Sequence, residues 1–118
     1  MLFRSFADEA CVAESDVEKC AGYFHGINIK LTKCSGITPA LRMIKKAKEL
    51  GLKIMIGSMN ETTIGSAAIG HLAAYTDYVD MDGPLLLKDE IASGLAYENG
   101  KIILSENPGL GVHLNSLF

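Results

Sequence analysis

Short apolar runs alternate with longer amphipathic stretches at a spacing of about 25 residues, and this alternation restricts the chain to βα units around a parallel sheet. Leu2 to Ala7 reads as a first strand. Ser15 then opens a helix, with Glu18 three residues on as a capping box and Val17, Cys20, Ala21 and Phe24 as its apolar side. His25 and Gly26 end it. Ile27 to Leu31 is the second strand, and Thr38 is an N-cap with Pro39 at the first helical position. That helix runs to Leu50 with Leu41, Ile44, Ala47 and Lys48 at helical spacing, and Gly51 stops it. Lys53 to Gly57 is the third strand. Thr62 or Thr63 starts a third helix, whose Ala67, Ala68, His71 and Leu72 side is small and apolar, and Tyr78 to Met81 is the fourth strand. Beyond Gly83-Pro84 the period is lost. Ala96 to Ile103 reads as a hairpin turning at Asn99-Gly100, and Pro108 to Phe118 as an irregular tail.

The length, 118 residues, suits one domain with a real core and is too short for the roughly 250 residues that close an eight-stranded α/β barrel. With 48% hydrophobic residues and a net charge of −3, the chain is neither disordered nor a basic nucleic-acid-binding tail. No apolar run approaches the 18 or so residues of a membrane span, and Met1 to Glu9, with Arg4, Asp8 and Glu9, reads as neither signal peptide nor anchor. Cys11, Cys20 and Cys34 are odd in number and match no zinc spacing, so they read as reduced thiols of a cytoplasmic protein. His25, His71 and His113 are isolated from one another and read as core or surface residues.

The charged residues that interrupt the pattern fall at strand ends. Asp8-Glu9 closes the first strand, Lys30 lies in the second, Ser58-Met59 follows the third, and Asp80-x-Asp82 closes the fourth. In parallel α/β sheets the carboxyl ends of the strands form the face on which sites are built. A carboxylate such as Asp8 suits a hard divalent cation, but Mg²⁺ takes about six oxygens, so one carboxylate alone binds it poorly. Lys30 points opposite to Ile29 and Leu31, and a lysine held inward on a crowded rim loses hydration, which favours proton transfer. Its competing role is a lysine reaching to solvent from a strand end. Asp80 and Asp82 share one strand face and repel one another unless a metal or a substrate ammonium lies between them; the plain alternative is an acidic turn before Gly83-Pro84. Lys33, Lys45, Lys46 and Lys48 read as a solvated face without a role.

The runs FADEA (6–10), INIKLTKCSGI (27–37), MIGSMNETTIG (55–65) and DYVDMDGPLLL (77–87) together resemble the C-terminal half of the enolase superfamily. Within it they look like the muconate-cycloisomerase-like subgroup, and in particular the L-Ala-D/L-Glu and related dipeptide epimerases. The resemblance implies a partial (βα) barrel of about four units, a half-barrel with a C-terminal hairpin and tail, across a single domain of 118 residues. It also implies that the first barrel half and an N-terminal capping domain lie outside this sequence. By the same resemblance Asp8 matches the last of three Mg²⁺ ligands and Glu9 its usual neighbour. Lys30 matches a lysine acid/base, Ser58 and Met59 a substrate-touching loop, and Asp80 and Asp82 the pair that binds a dipeptide's free ammonium. Glu61 matches an acidic position whose role is open. The implied reaction is removal of the α-proton of the dipeptide's second residue and its return to the opposite face. Against the family pattern, there is no KxK strand for the opposite lysine and no source of the first two metal ligands, so a lone chain is expected to be inactive or weak. Two open strand edges are expected to be covered in a homodimer or higher oligomer. Another superfamily activity such as muconate cycloisomerisation, a non-catalytic ligand-binding half-barrel and a structural remnant are the competing readings.

Overall fold

The computed structural model describes residues 3–116, and Leu2 of the expected first strand lies outside them. In chain order the elements are β1 (Phe6–Ala7), a 3-10 turn (Glu14–Asp16) leading into α1 (Val17–Cys20), β2 (Gly26–Lys30), α2 (Leu31–Cys34), α3 (Ile37–Glu49), β3 (Lys53–Gly57), α4 (Thr63–Gly70) and β4 (Tyr78–Asp80). A 3-10 turn over Gly83–Leu86 is followed by β5 (Ala92–Ser93), β6 (Leu95–Glu98), β7 (Lys101–Leu104) and β8 (His113–Leu114). Strands β1 to β4 form one parallel sheet in sequence order. Among the described residues no helix is long and apolar enough to cross a membrane.

Strand periodicity sorts the sheet into two faces. Ile27 and Ile29 of β2 and Ile54 and Ile56 of β3 are completely buried on one face, in a cluster with Val17 and Cys20 of α1 and Ala40, Met43, Ile44 and Ala47 of α3. Full burial of each isoleucine contributes about 1.5–3 kcal/mol, so this face anchors the fold. The other face carries Phe6, Asn28, Lys30, Met55, Gly57, Tyr78 and Asp80, as the register requires. Phe6 and Tyr78 sit on the two outer strands, about 14 Å apart in a flat sheet. Their rings nevertheless meet edge to face with centroids 5.5 Å apart. The sheet therefore curls, with this second face on its concave side. Gly26 makes room for the Phe6 ring, which lies where a β-carbon would otherwise be.

Several local expectations are corrected. The first turn is capped by Asp16, whose Oδ2 accepts the Ala13 and Val12 N–H groups at 3.0 and 3.2 Å, rather than by a Ser15–Glu18 box; Glu18 instead pairs with Lys46. Leu31 opens α2 rather than ending β2. Helix α3 begins at Ile37, ahead of Thr38 and Pro39, and its buried stripe is Ala40, Met43, Ile44 and Ala47, with Leu41 and Lys48 turned to solvent. Gly51 does follow that helix with φ +70°, the left-handed stop that glycine favours. Strand β4 ends at Asp80, one residue early. The hairpin turns at Asn99 (φ +50°) and Gly100 (φ +74°), the two positive angles of a type I′ turn. The described part of the tail is less irregular than expected, because β8 pairs antiparallel with β5, and Leu117 and Phe118 lie outside the described residues. This pairing fixes Glu90 through Asn115, whose Nδ2 donates to the Glu90 carbonyl at 2.7 Å. The Glu90 carboxylate then accepts the Thr63 N–H at 3.1 and 3.2 Å, so a distant residue caps α4. Cys11, Cys20 and Cys34 are free and buried.

Candidate active site

The register of the sheet builds the site. Lys30 pairs with Gly57 and Gly57 with Asp80, so these three residues form one row at the carboxyl ends of β2, β3 and β4. Asp8 leaves β1 just after Ala7, which pairs with Ile27, and thus arrives beside Asn28. Asn28 is 7% exposed, and its Nδ2 donates to Asp8 Oδ2 at 3.1 Å. Glycine at 57 is what lets the Asn28 side chain lie there: a β-carbon would come within 2.6 Å of its Oδ1 and 2.9 Å of its Nδ2.

Asp8 is the hub of a charge cluster. Its Oδ2 is 2.8 Å from Lys30 Nζ and its Oδ1 2.7 Å from Lys33 Nζ, which also lies 3.1 Å from Glu9 Oε1. The side chains of Lys30 and Lys33 are 14% and 19% exposed, and Glu9 projects into solvent. Two carboxylates and two ammoniums balance, so the cluster is neutral as a whole. Burial pushes the Asp8 carboxyl upward, but donation by Lys30, Lys33 and Asn28 outweighs it and holds the group below its ordinary value. The Asp8 carboxylate raises Lys33 in turn, with Glu9 adding to the effect. Lys33 is therefore not the idle surface lysine of the sequence reading. It stands three residues after Lys30 on the short helix α2, a spacing that carries it back over the same rim.

Ser58 is half-buried and Met59 exposed in the segment that follows β3. Glu61 lies further along that segment, with both carboxylate oxygens buried and no hydrogen-bond partner among the described residues. Its backbone packs so tightly on Gly83 that a β-carbon there would lie 2.7 Å from the Glu61 carbonyl oxygen. Asp80 and Asp82 are exposed while Met81 between them is buried, but Asp82 lies beyond the end of β4 with right-handed helical backbone angles, so the shared strand face expected of the pair does not extend to it. Neither makes an ion pair among the described residues. Asn28, Lys33, Glu90 and Tyr97 are the neighbours that sequence reading missed. Among the described residues no group of three or more His, Cys, Asp or Glu side chains could hold a metal ion, and both Asp8 oxygens already have donors. These residues by themselves do not make a Mg²⁺ cage.

Residues 6–117 match the family described as Enolase C-terminal domain-like. The chain is 58% identical over 110 residues to the L-Ala-D/L-amino acid epimerase of Maribacter sp., covering 92% of this chain and 33% of that protein. The substrate-liganded L-Ala-D/L-Glu epimerase from Bacillus subtilis superposes with a TM-score of 0.89 at 32% identity, over 95% of this chain and 33% of that one. The dipeptide epimerase from Methylococcus capsulatus, complexed with Mg and the dipeptide L-Arg-D-Lys, gives 0.85 at 36% identity over 91% and 32%. The chain thus spans about a third of the length of the curated relatives it matches. A family match through all four strands of the curled sheet, and the same fold at this identity in solved dipeptide epimerases, lead to one conclusion: the chain belongs to the enolase C-terminal domain-like family of the enolase superfamily, and it resembles the dipeptide epimerases there.

Proposed function

We propose that this chain supplies the C-terminal half of a dipeptide epimerase rim, on a half-barrel of four βα units. The observation that carries the reading is the row Lys30–Gly57–Asp80 at the carboxyl ends of β2, β3 and β4, with the exposed Asp82 two residues beyond it. Asp80 and Asp82 hold the dipeptide's free ammonium between them, which relieves their mutual repulsion. Ser58 and Met59 line the path across β3 between that pair and Lys30. Lys30 Nζ then faces the α-carbon of the second residue, where it takes the proton or returns it. Asp8, 2.8 Å away, holds this amine in place while Lys33 and Asn28 hold Asp8.

An epimerase needs a proton carrier on each face of the α-carbon, and Lys30 serves one. The other carrier, and the ligands that would join Asp8 around a Mg²⁺ ion, come from outside these 118 residues. Glu61, with its unpartnered carboxylate, is assigned to the same rim. Among the described residues the outer strands β1 and β4 each have a single sheet neighbour, so in the isolated chain a second copy covers the open edges. Titration of the chain with L-Ala-L-Glu, followed by NMR, tests the reading: saturable binding that Asp80→Asn or Asp82→Asn weakens supports it, and absence of binding contradicts it.

A further inference from the structure

Strand β4 stops at Asp80, so the sheet does not hold the Met81–Asp82 link on which the second acid depends. The carbonyl of Met81 is free of the ladder, and the Tyr97 hydroxyl donates to it at 2.5 Å. Tyr97 comes from β6, in the C-terminal hairpin, sixteen residues along the chain. Two further contacts close around the same link. The Leu85 N–H donates to the Asp82 carbonyl at 2.9 Å, and Gly83 rests against the Glu61 backbone. The Met81 side chain is buried on the opposite side, close to Gly70: a β-carbon at Gly70 would lie 3.4 Å from Met81 Cε and 2.8 Å from Leu104 Cδ2 of β7. The hairpin therefore grips Met81 by its carbonyl, and the acids on either side of it remain exposed to solvent. Tyr97 borders a cavity of about 320 Å³ together with Asp80, Asp82, Leu85 and Ile102. Burial pushes the phenol up from its ordinary value, so it stays a hydrogen-bond donor throughout the neutral range.

We propose that Tyr97 is a positioning residue for the Asp80–Asp82 pair: its hydroxyl fixes the Met81 carbonyl and thereby the spacing of two carboxylates around a ligand ammonium. The inference rests on the reading of that pair as an ammonium site. It differs from a simple packing role because it makes the hydroxyl matter for one chemical group of the ligand.

The test compares L-Ala-L-Glu with N-acetyl-L-Ala-L-Glu, which lacks the ammonium, by NMR titration of the 118-residue chain and its Tyr97→Phe variant. Removal of the hydroxyl keeps the ring and its packing. The wild-type chain is expected to prefer the free dipeptide, and Tyr97→Phe to lose about three- to tenfold of that preference, the scale of one hydrogen bond. Asp82→Asn, which removes the charge and leaves the Tyr97 hydroxyl in place, should lose preference in the same direction. A Tyr97→Phe chain that keeps the full preference, or that weakens both ligands equally, overturns the positioning role while leaving the ammonium site standing. A wild-type chain without preference overturns the ammonium site, and the inference falls with it.

Discussion

Phe6 and Tyr78 meet edge to face with centroids 5.5 Å apart although two whole strands separate them in the sheet. Only a curled sheet brings its outer strands so close, and the same curl turns Asp8, Lys30 and Asp80 toward a common axis. The aromatic contact thus underlies the candidate site: it closes the floor of the concave face one layer below the charged rim.

A double-mutant cycle with Phe6→Leu and Tyr78→Leu measures this contact. Urea unfolding should give a coupling energy of about 0.5–1.5 kcal/mol, the range of a favourable aromatic pair. Additive effects would mean that the two rings do not support one another.

Gly57 is required by the Asn28 side chain rather than by its own backbone, since it has no positive φ. Gly57→Ala should therefore destabilise the chain by about 1–3 kcal/mol through overpacking and should displace the carboxamide that holds Asp8. Combination with Asn28→Ala, which clears the space, should recover much of that loss. Urea midpoints of the single and double variants check this, and a silent Gly57→Ala would contradict the packing.

Acid sensitivity follows from two carboxylates. Lys19 donates to Asp16, the Ala13 and Val12 amides add to it, and the folded-state pKa is lowered to about 2 from an ordinary 3.8. A group depressed in this way contributes stability that is complete above the unfolded value and is lost as pH falls through the folded one. Asp8 is shifted in the same direction. Stability should accordingly fall between pH 4 and pH 2, and Asp16→Asn should flatten that part of the profile. Unfolding curves collected across this window, with a wild-type profile already flat, would refute the assignment.

The open edges of β1 and β4 predict self-association. Light scattering coupled to size-exclusion should report a dimer or larger species for the 118-residue chain. A monodisperse monomer at all concentrations would show that the edges are tolerated uncovered.

The strands are legible in the sequence because each is encoded locally. A period of two places Lys30 opposite Ile29, and Asn99-Gly100 specifies its own turn. What stayed hidden depends on contacts between distant residues. Lys33 looks like one of several surface lysines until the fold brings it 2.7 Å from an acid 25 residues earlier. Glu90 and Tyr97 carry no local sign of capping α4 or gripping Met81, because both partners are reached through the C-terminal strands. The α3 stripe differs for a simpler reason: Leu41 is apolar yet faces solvent, while Ala40 and Met43 line the core.

The proposed role of Lys30 and the Asp80–Asp82 pair as half of an epimerase rim can be read out in a graft. Residues 6–117 would replace the matching third of the Bacillus subtilis L-Ala-D/L-Glu epimerase, and loss of the α-proton signal of L-Ala-L-Glu in D₂O would be followed by NMR. α-Proton exchange is expected from the folded graft, with its loss on Lys30→Ala and none from the 118-residue chain alone. A folded graft that leaves the α-proton in place, or that exchanges it equally well with Lys30→Ala, would contradict the account.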